Sequence, residues 1–300
     1  MWEHMQSAEE TADQVAKVYA KASLYLSREM QDIFKKYVEK HHLTEKEALQ
    51  LLNTLRDRTS IEELRQRLQS SSQKQEIADL LAELEAPAYQ ARIQRLQDLQ
   101  TQIDLVMQQV YKQGQAITTA HYIQLAEEAY NRSIFDIQQR TGLGFSFSHI
   151  DQKQVDKVLK SKWSGMNYSE RVWRNTRALA QEVKEALLVN LITGRTEREA
   201  AEMLTKKFAG GSSKARRLIR TESCYLSNQL EMESYKECGI DKYQYLATLD
   251  LRTSEICREL DGKVFLVKDQ QPGKNCPPMH PWCRSTTIAI IGEKMLEGMK

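Results

Sequence analysis

The chain has 300 residues, of which 43 are basic and 41 acidic, for a net charge of +2. That length suffices for one large domain or two ordinary ones. The near-balance of charge excludes a protein that coats nucleic acid over its whole surface, while leaving room for a local basic patch.

The opening residues MWEHMQSAEETADQ show no basic n-region and no apolar h-region of a secretory leader. No run approaches the ~18 apolar residues of a membrane span. Five cysteines, an odd number, then point to synthesis in a reducing cytosol, with thiols free or metal-bound rather than paired.

From about His4 to Arg140 the sequence predicts successive helices, rich in Gln, Glu, Lys, Leu and Ala and interrupted by a single proline, Pro87. Thr44–Glu47, Ser60–Glu63 and Ser71–Gln75 read as helix starts, in which a hydroxyl accepts from a free backbone N–H and an acid or amide reaches back. Leu49, Leu52, Leu55, Leu64 and Leu68 recur at helical spacing, and Tyr89, Ile93, Leu96, Leu99, Ile103 and Val106 form a longer stripe. TGLGFSFSHID, 141–151, is the clearest linker. Beyond it Ser169 is expected to cap a helix running to about Ile192 and stopped by Gly194. Thr196–Glu199 opens a further helix to Phe208, AGGSS at 209–213 breaks it, and Ala215–Glu237 forms the next.

The period then changes to two. Tyr243, Tyr245 and Ala247 alternate, as do Val264 and Leu266, and Thr286, Ile288 and Ile290. The predicted architecture is mainly α with a small C-terminal α+β unit. A helical arm spans 1–145, a helical middle region 146–240, and a Cys/His-bearing unit with short antiparallel strands 241–300. Some 50 residues bury too little core to stand alone, so this last unit is expected to pack on the helix 215–237.

Three constellations carry chemistry. Cys257, Cys276, His280 and Cys283 have the types and number of a tetrahedral zinc site, with prolines 277, 278 and 281 shaping the loop. The same residues also suit a packed loop in which the thiols act as small hydrophobes, or a Cys–His nucleophile and base. Asp250, Arg252, Asp261 and Arg284 suit carboxylate–guanidinium clamps, and Asp261-Gly262 reads as a turn into the strand that follows. Lys206, Lys207, Lys214, Arg216 and Arg217 cluster around the AGGSS break. A helix N-terminus there would favour contact with DNA phosphates or with an acidic protein face.

ATLDLRTSEICRELDGKVF followed by NCPPMHPWCRSTT resembles the C-terminal signature of the phage head morphogenesis family, the minor head proteins similar to protein F of phage Mu. The matching residues are Thr248, Asp250, Arg252, Thr253, Cys257, Leu260, Asp261, Gly262, Pro277, Pro278, His280, Pro281, Cys283 and Arg284. IRTES at 219–223 is similar to the same family, whose structural core would then include Arg220 and Glu222. The similarity spans roughly 165–290, and Ser254 stands where many relatives have a cysteine. The resemblance implies a non-enzymatic minor head protein in the virion interior, made in the host cytoplasm. It would associate with the portal or with the capsid or scaffold interior, with DNA a secondary contact during packaging or ejection, and no membrane. Two other readings stay open: a Cys/His-dependent hydrolase or transferase, and a zinc-stabilised DNA-binding module.

Overall fold

The computed structural model describes residues 1–34, 87–144, 150–192 and 197–292. The expected helix starts at 44–47, 60–63 and 71–75, the leucines from 49 to 68, and Gly194 and Thr196 lie outside them. The elements are α1 (Trp2–Phe34), α2 (Pro87–Thr141), α3 (Gln152–Lys160), α4 (Tyr168–Ile192), α5 (Glu197–Glu237), β1 (Lys242–Leu246), α6 (Glu255–Leu260), β2 (Val264–Leu266) and β3 (Thr286–Ile290). The chain is thus mainly helical with a small C-terminal sheet, as its periodicities predict.

Compact units do not follow sequence order. One comprises Tyr19–Val110 and Thr176–Gly211, the other Met1–Val18, Tyr111–Asn175 and Ser212–Lys300. The regions 1–145 and 146–240 read from sequence each contribute to both units, while 241–300 lies wholly in the second.

In the first unit each helix presents an apolar stripe. Tyr19, Ala22, Leu26 and Met30 come from α1, and Leu99, Ile103, Met107 and Val110 from α2. Leu179, Val183 and Leu187 come from α4, and Ala200, Leu204 and Phe208 from α5; all are buried. Pro87 opens α2, where its missing N–H has no helical partner to lose. The stripe expected from Tyr89 to Val106 falls within this 55-residue helix, with Leu99 and Ile103 buried.

The expected break at AGGSS does not occur, since α5 runs unbroken from Glu197 to Glu237. The glycine there answers a close approach rather than a turn. A Cβ on Gly211 would lie 2.5 Å from Leu179 Cδ2 and 3.0 Å from Tyr19 Cε1, so only a residue without a side chain lets the helices meet.

In the second unit α5 is the hub, with every residue from Thr221 to Asn228 buried. Tyr122, Leu125, Ile134 and Ile137 of α2, Val155 and Leu159 of α3, Leu226, Leu230, Met232 and Tyr235 of α5, and Tyr243 and Ala289 of the sheet share one core. Helix α3 was not evident from sequence. Asp151 caps it by accepting from the Lys153 N–H, and Val155 and Leu159, four apart, face inward.

Ser169 is not the cap of α4. Asn167 and Glu170 cap it reciprocally, each side chain accepting the other's backbone N–H at 2.9 and 3.0 Å. The Ser169 hydroxyl instead pairs with Tyr111 and Gln115.

The sheet has the order β2-β1-β3, all antiparallel. Tyr243 and Tyr245 point into the core as their alternation predicts. In β3 the alternation is reversed: Thr287 and Ala289 are buried, while Ile288 is exposed. The inward face is the one on which Ala289 joins Tyr243 in the core. Polar partners from α2 and α5 hold the strand there: the Thr286 and Thr287 hydroxyls donate to Glu231, and the Ala289 carbonyl accepts from Arg140 at 2.9 Å.

Candidate metal centre

Two short pieces of backbone build the site. Ser254 caps α6 by accepting from the Cys257 N–H at 3.3 Å, which sets Cys257 on the inward side of the first turn. His280 to Cys283 form a tight turn closed by the Cys283 N–H on the His280 carbonyl at 3.2 Å. Trp282 sits in this turn at φ 68°, a region that a bulky residue rarely enters. Its N–H is held by the Thr221 hydroxyl at 3.2 Å, and its ring lies under the Arg220 guanidinium at 5.4 Å.

These pieces bring three ligand atoms together. Cys257 Sγ lies 3.3 Å from His280 Nε2 and 3.8 Å from Cys283 Sγ, and all three atoms fall within 4.8 Å of one another. His280 Nδ1 lies 2.7 Å from the Pro281 carbonyl, which can only accept. In the neutral ring the proton is therefore on Nδ1, and the Nε2 lone pair faces the thiols. Ser254 Oγ is 2.8 Å from the same Nε2. The thiols are buried among Met5, Cys224, Tyr245 and Ala247, whereas His280 is half-exposed.

The fourth sequence candidate, Cys276, does not join them. It is wholly buried in the other apolar core, with Tyr225 and Tyr243, and Gln229 Nε2 donates weakly to its sulfur at 3.9 Å. Cys276-x3-His280 proved a coincidence of spacing. Ser254, whose spacing to Cys257 repeats that of His280 to Cys283, does reach the site, with its Oγ against His280 Nε2. Cys224, beside Cys283, carried no local signal, because α5 brings it in from another part of the chain.

Thiol chemistry here disfavours nucleophilic catalysis. Its hydrogen bond with Cys283 and then burial push the Cys257 thiol up to about 12. The hydrogen bond with Cys224 raises that of Cys283, and burial pushes Cys276 up to about 12. All five cysteines are free and buried. A nucleophilic cysteine needs the opposite setting, partly exposed and electropositive.

Around the site, Arg284 grips Asp250 through two hydrogen bonds of 2.6 Å. That clamp, followed by burial acting in the opposite sense and the Arg252 N–H bond of 2.8 Å, leaves the Asp250 carboxyl well below the usual carboxylate range. The Arg252 side chain is only 3.8 Å from Asp250 and mostly exposed. Asp261 meets no arginine in this set; it accepts from the Ala247 N–H at 2.8 Å. Gly262, at φ 75°, completes the turn into β2. The clamp thus ties the loop leading to Ser254 to the residue after Cys283.

Glu222 is buried against Arg171 and accepts from Trp163 Nε1 at 3.2 Å. Arg220 and Arg216 both bond Glu9, and Arg216 also bonds Asp13. Lys207 pairs with Glu182 at 3.4 Å. Lys206, Lys214 and Arg217 are exposed. Because α5 is continuous, the helix N-terminus expected among these basic residues is absent, and with it the extra attraction for anions. No helix among the described residues is long and apolar enough to cross a membrane.

Residues 181–288 match the family described as Phage Mu protein F like protein. Among curated proteins, the chain is 23% identical over 256 residues to "NAD(+)--arginine ADP-ribosyltransferase EFV" of Enterococcus faecalis (strain ATCC 700802 / V583), covering 81% of this chain and 51% of that protein. It is 26% identical over 111 residues to an uncharacterized protein of Haemophilus influenzae (strain ATCC 51907 / DSM 11121 / KW20 / Rd), covering 37% of this chain and 25% of that one. The chain thus spans about half, or less, of the length of these relatives. No solved structure matches it. The matched segment holds Cys257, His280, Cys283, Asp250 and Arg284, and its family is the one that the C-terminal motifs resemble, the phage Mu protein F like proteins.

Proposed function

We propose that this chain is a minor head protein of a tailed phage, carried in few copies in the head interior, which docks on the portal during head morphogenesis. The match of residues 181–288 to the phage Mu protein F like family carries this reading. The surface chemistry supports a protein partner over DNA. Arg216, Arg220 and Lys207 are engaged by acids of their own units, and the near-zero net charge offers little long-range pull on a polyanion. Leu249 and Leu251, by contrast, stand 62% and 104% exposed on the loop that the Asp250–Arg284 clamp holds. DNA remains a secondary contact, through residues such as Lys206, Lys214 and Arg217.

The test is co-purification of the full chain with portal assemblies at physiological salt. It compares wild type, a Leu249→Asp/Leu251→Asp variant and a Lys206→Glu/Lys214→Glu/Arg217→Glu variant. The reading expects association that the leucine variant loses and the charge variant keeps. Loss only in the charge variant would put the partner surface on the basic stretch of α5. Absence of association in wild type would sink the minor-head reading.

The name of the Enterococcus relative favours a second reading, arginine ADP-ribosylation. Release of nicotinamide from NAD+ by this chain, with an arginine-rich acceptor present, would support it, and no release would leave the minor-head reading.

A further inference from the structure

We propose that Cys257 Sγ, Cys283 Sγ and His280 Nε2 bind one Zn2+, whose fourth position is taken by solvent held by the Ser254 hydroxyl. This site stands apart from the phage reading and would hold even if that reading failed.

Edge lengths carry the inference. Zinc binds thiolate at about 2.3 Å and imidazole at about 2.0–2.1 Å, so a tetrahedron around it has an S···S edge of roughly 3.8 Å and an S···N edge of roughly 3.5 Å. The side chains are found 3.8 and 3.3 Å apart on these edges. The donors are preset as well. The Pro281 carbonyl holds the proton of His280 on Nδ1, which orients the ring and leaves Nε2 to the metal. Two thiolates and one imidazole form a borderline-soft set that suits zinc, and zinc imposes no geometry of its own against them.

The fourth corner follows from what is left. Ser254 Oγ is within 2.8 Å of Nε2 and is half-exposed, so a solvent molecule can reach it. Cys224 is the other near sulfur, but it is wholly buried and already engaged by the Ser285 carbonyl at 3.6 Å and Asn228 Nδ2 at 3.7 Å. Cys276 lies in a separate core. The ion would link α6 to the 280–283 turn, two short pieces of chain, and such a staple is the usual role of a structural metal.

The experiment uses the full chain purified under reducing conditions, with elemental analysis followed by replacement of the metal by Co2+. One zinc per chain is expected, along with a tetrahedral Co2+ spectrum whose thiolate charge-transfer intensity corresponds to two sulfurs. Cys276→Ser should keep both signals. His280→Gln changes a half-exposed position and should leave the fold intact; it should weaken Co2+ binding by about tenfold or more. Ser254→Cys should add a third thiolate band and tighten binding by about tenfold or more, as a soft donor replaces solvent. A chain that binds neither ion, with Cys257 and Cys283 titrating as free thiols, overturns the site. So does equal loss in Cys276→Ser. Three thiolates in wild type, or no effect of Ser254→Cys, overturns the fourth position.

Discussion

Adjacent glycines in the unbroken part of α5 provide a sharp test of the fold. Gly210 is exposed, and a Cβ there would meet nothing within 4 Å. Gly210→Ala should therefore gain the ordinary helix-interior difference, about 0.5–1 kcal/mol. Gly211→Ala gains the same term but drives its methyl to 2.5 Å from Leu179 and 3.0 Å from the Tyr19 ring. Both neighbours are buried, with 3% and 5% exposure, and have little room to retreat. Overpacking of this kind costs about 1–3 kcal/mol. The two variants should thus differ by roughly 2 kcal/mol, with Gly210→Ala above wild type and Gly211→Ala below it, a separation of several degrees in Tm. Thermal and urea unfolding followed by circular dichroism reads the difference. If both alanines stabilise equally, the close approach is wrong. If both destabilise, the AGGSS segment is a turn with left-handed glycines and α5 is two helices.

Three further outcomes are expected. Glu222→Ala should cost about 3–5 kcal/mol, because it leaves Arg171 buried without its partner; an Arg171→Met/Glu222→Leu pair should recover much of that, and a single variant no worse than 1 kcal/mol would contradict the burial. Arg284→Lys removes the two-pronged grip on Asp250, so backbone amides of 248–254 should exchange faster in hydrogen–deuterium measurements while those of α2 do not. Burial pushes His4 and His121 down to about 4 from 6.5. A depressed histidine stabilises the fold fully above 6.5 and loses that stabilisation as the pH falls toward 4, by up to about 3 kcal/mol each. Urea midpoints should therefore drop between pH 6.5 and 4.5 in wild type; an equal drop in a His4→Asn/His121→Asn variant would assign it to other groups.

Local pattern exposed much of this molecule and misled where tertiary packing took over. Strands β1–β3 were evident from alternation because turns at Gly262 and the Pro-rich loop isolate them. The Asp250–Arg284 clamp was evident as a pairing of types, although Asp261 in the same set serves a backbone N–H instead. His280 and Cys283 lie together because one tight turn holds both, whereas Cys257 reaches them on α6 from 23 residues away. Cys276 failed because its side chain follows a long-range core choice that no spacing encodes. Gly211 failed for the same reason: a glycine demanded by another helix looks, in one dimension, like a glycine demanded by a turn. The face of β3 is set by the core it meets, in which Ala289 packs with Tyr243 and residues of α2 and α5, and no alternation within one strand encodes that choice.

The thiol cluster rests on Met5 of the first helix as well as on Cys224 of α5, and Arg216 and Arg220 lean on Glu9. During synthesis, then, the opening helix meets α2 first, with Ser7 bonding His121 and Val15 facing Gly114, whereas the part that covers the thiol cluster must wait for more than two hundred further residues. That part is open throughout the interval, and contacts so remote in sequence close slowly. A gene fragment cut at the borders of the matched segment would lack this helix altogether. Any attempt to transplant residues 181–288 between proteins would need to carry the first eighteen residues along, fused through a linker or supplied as a separate peptide.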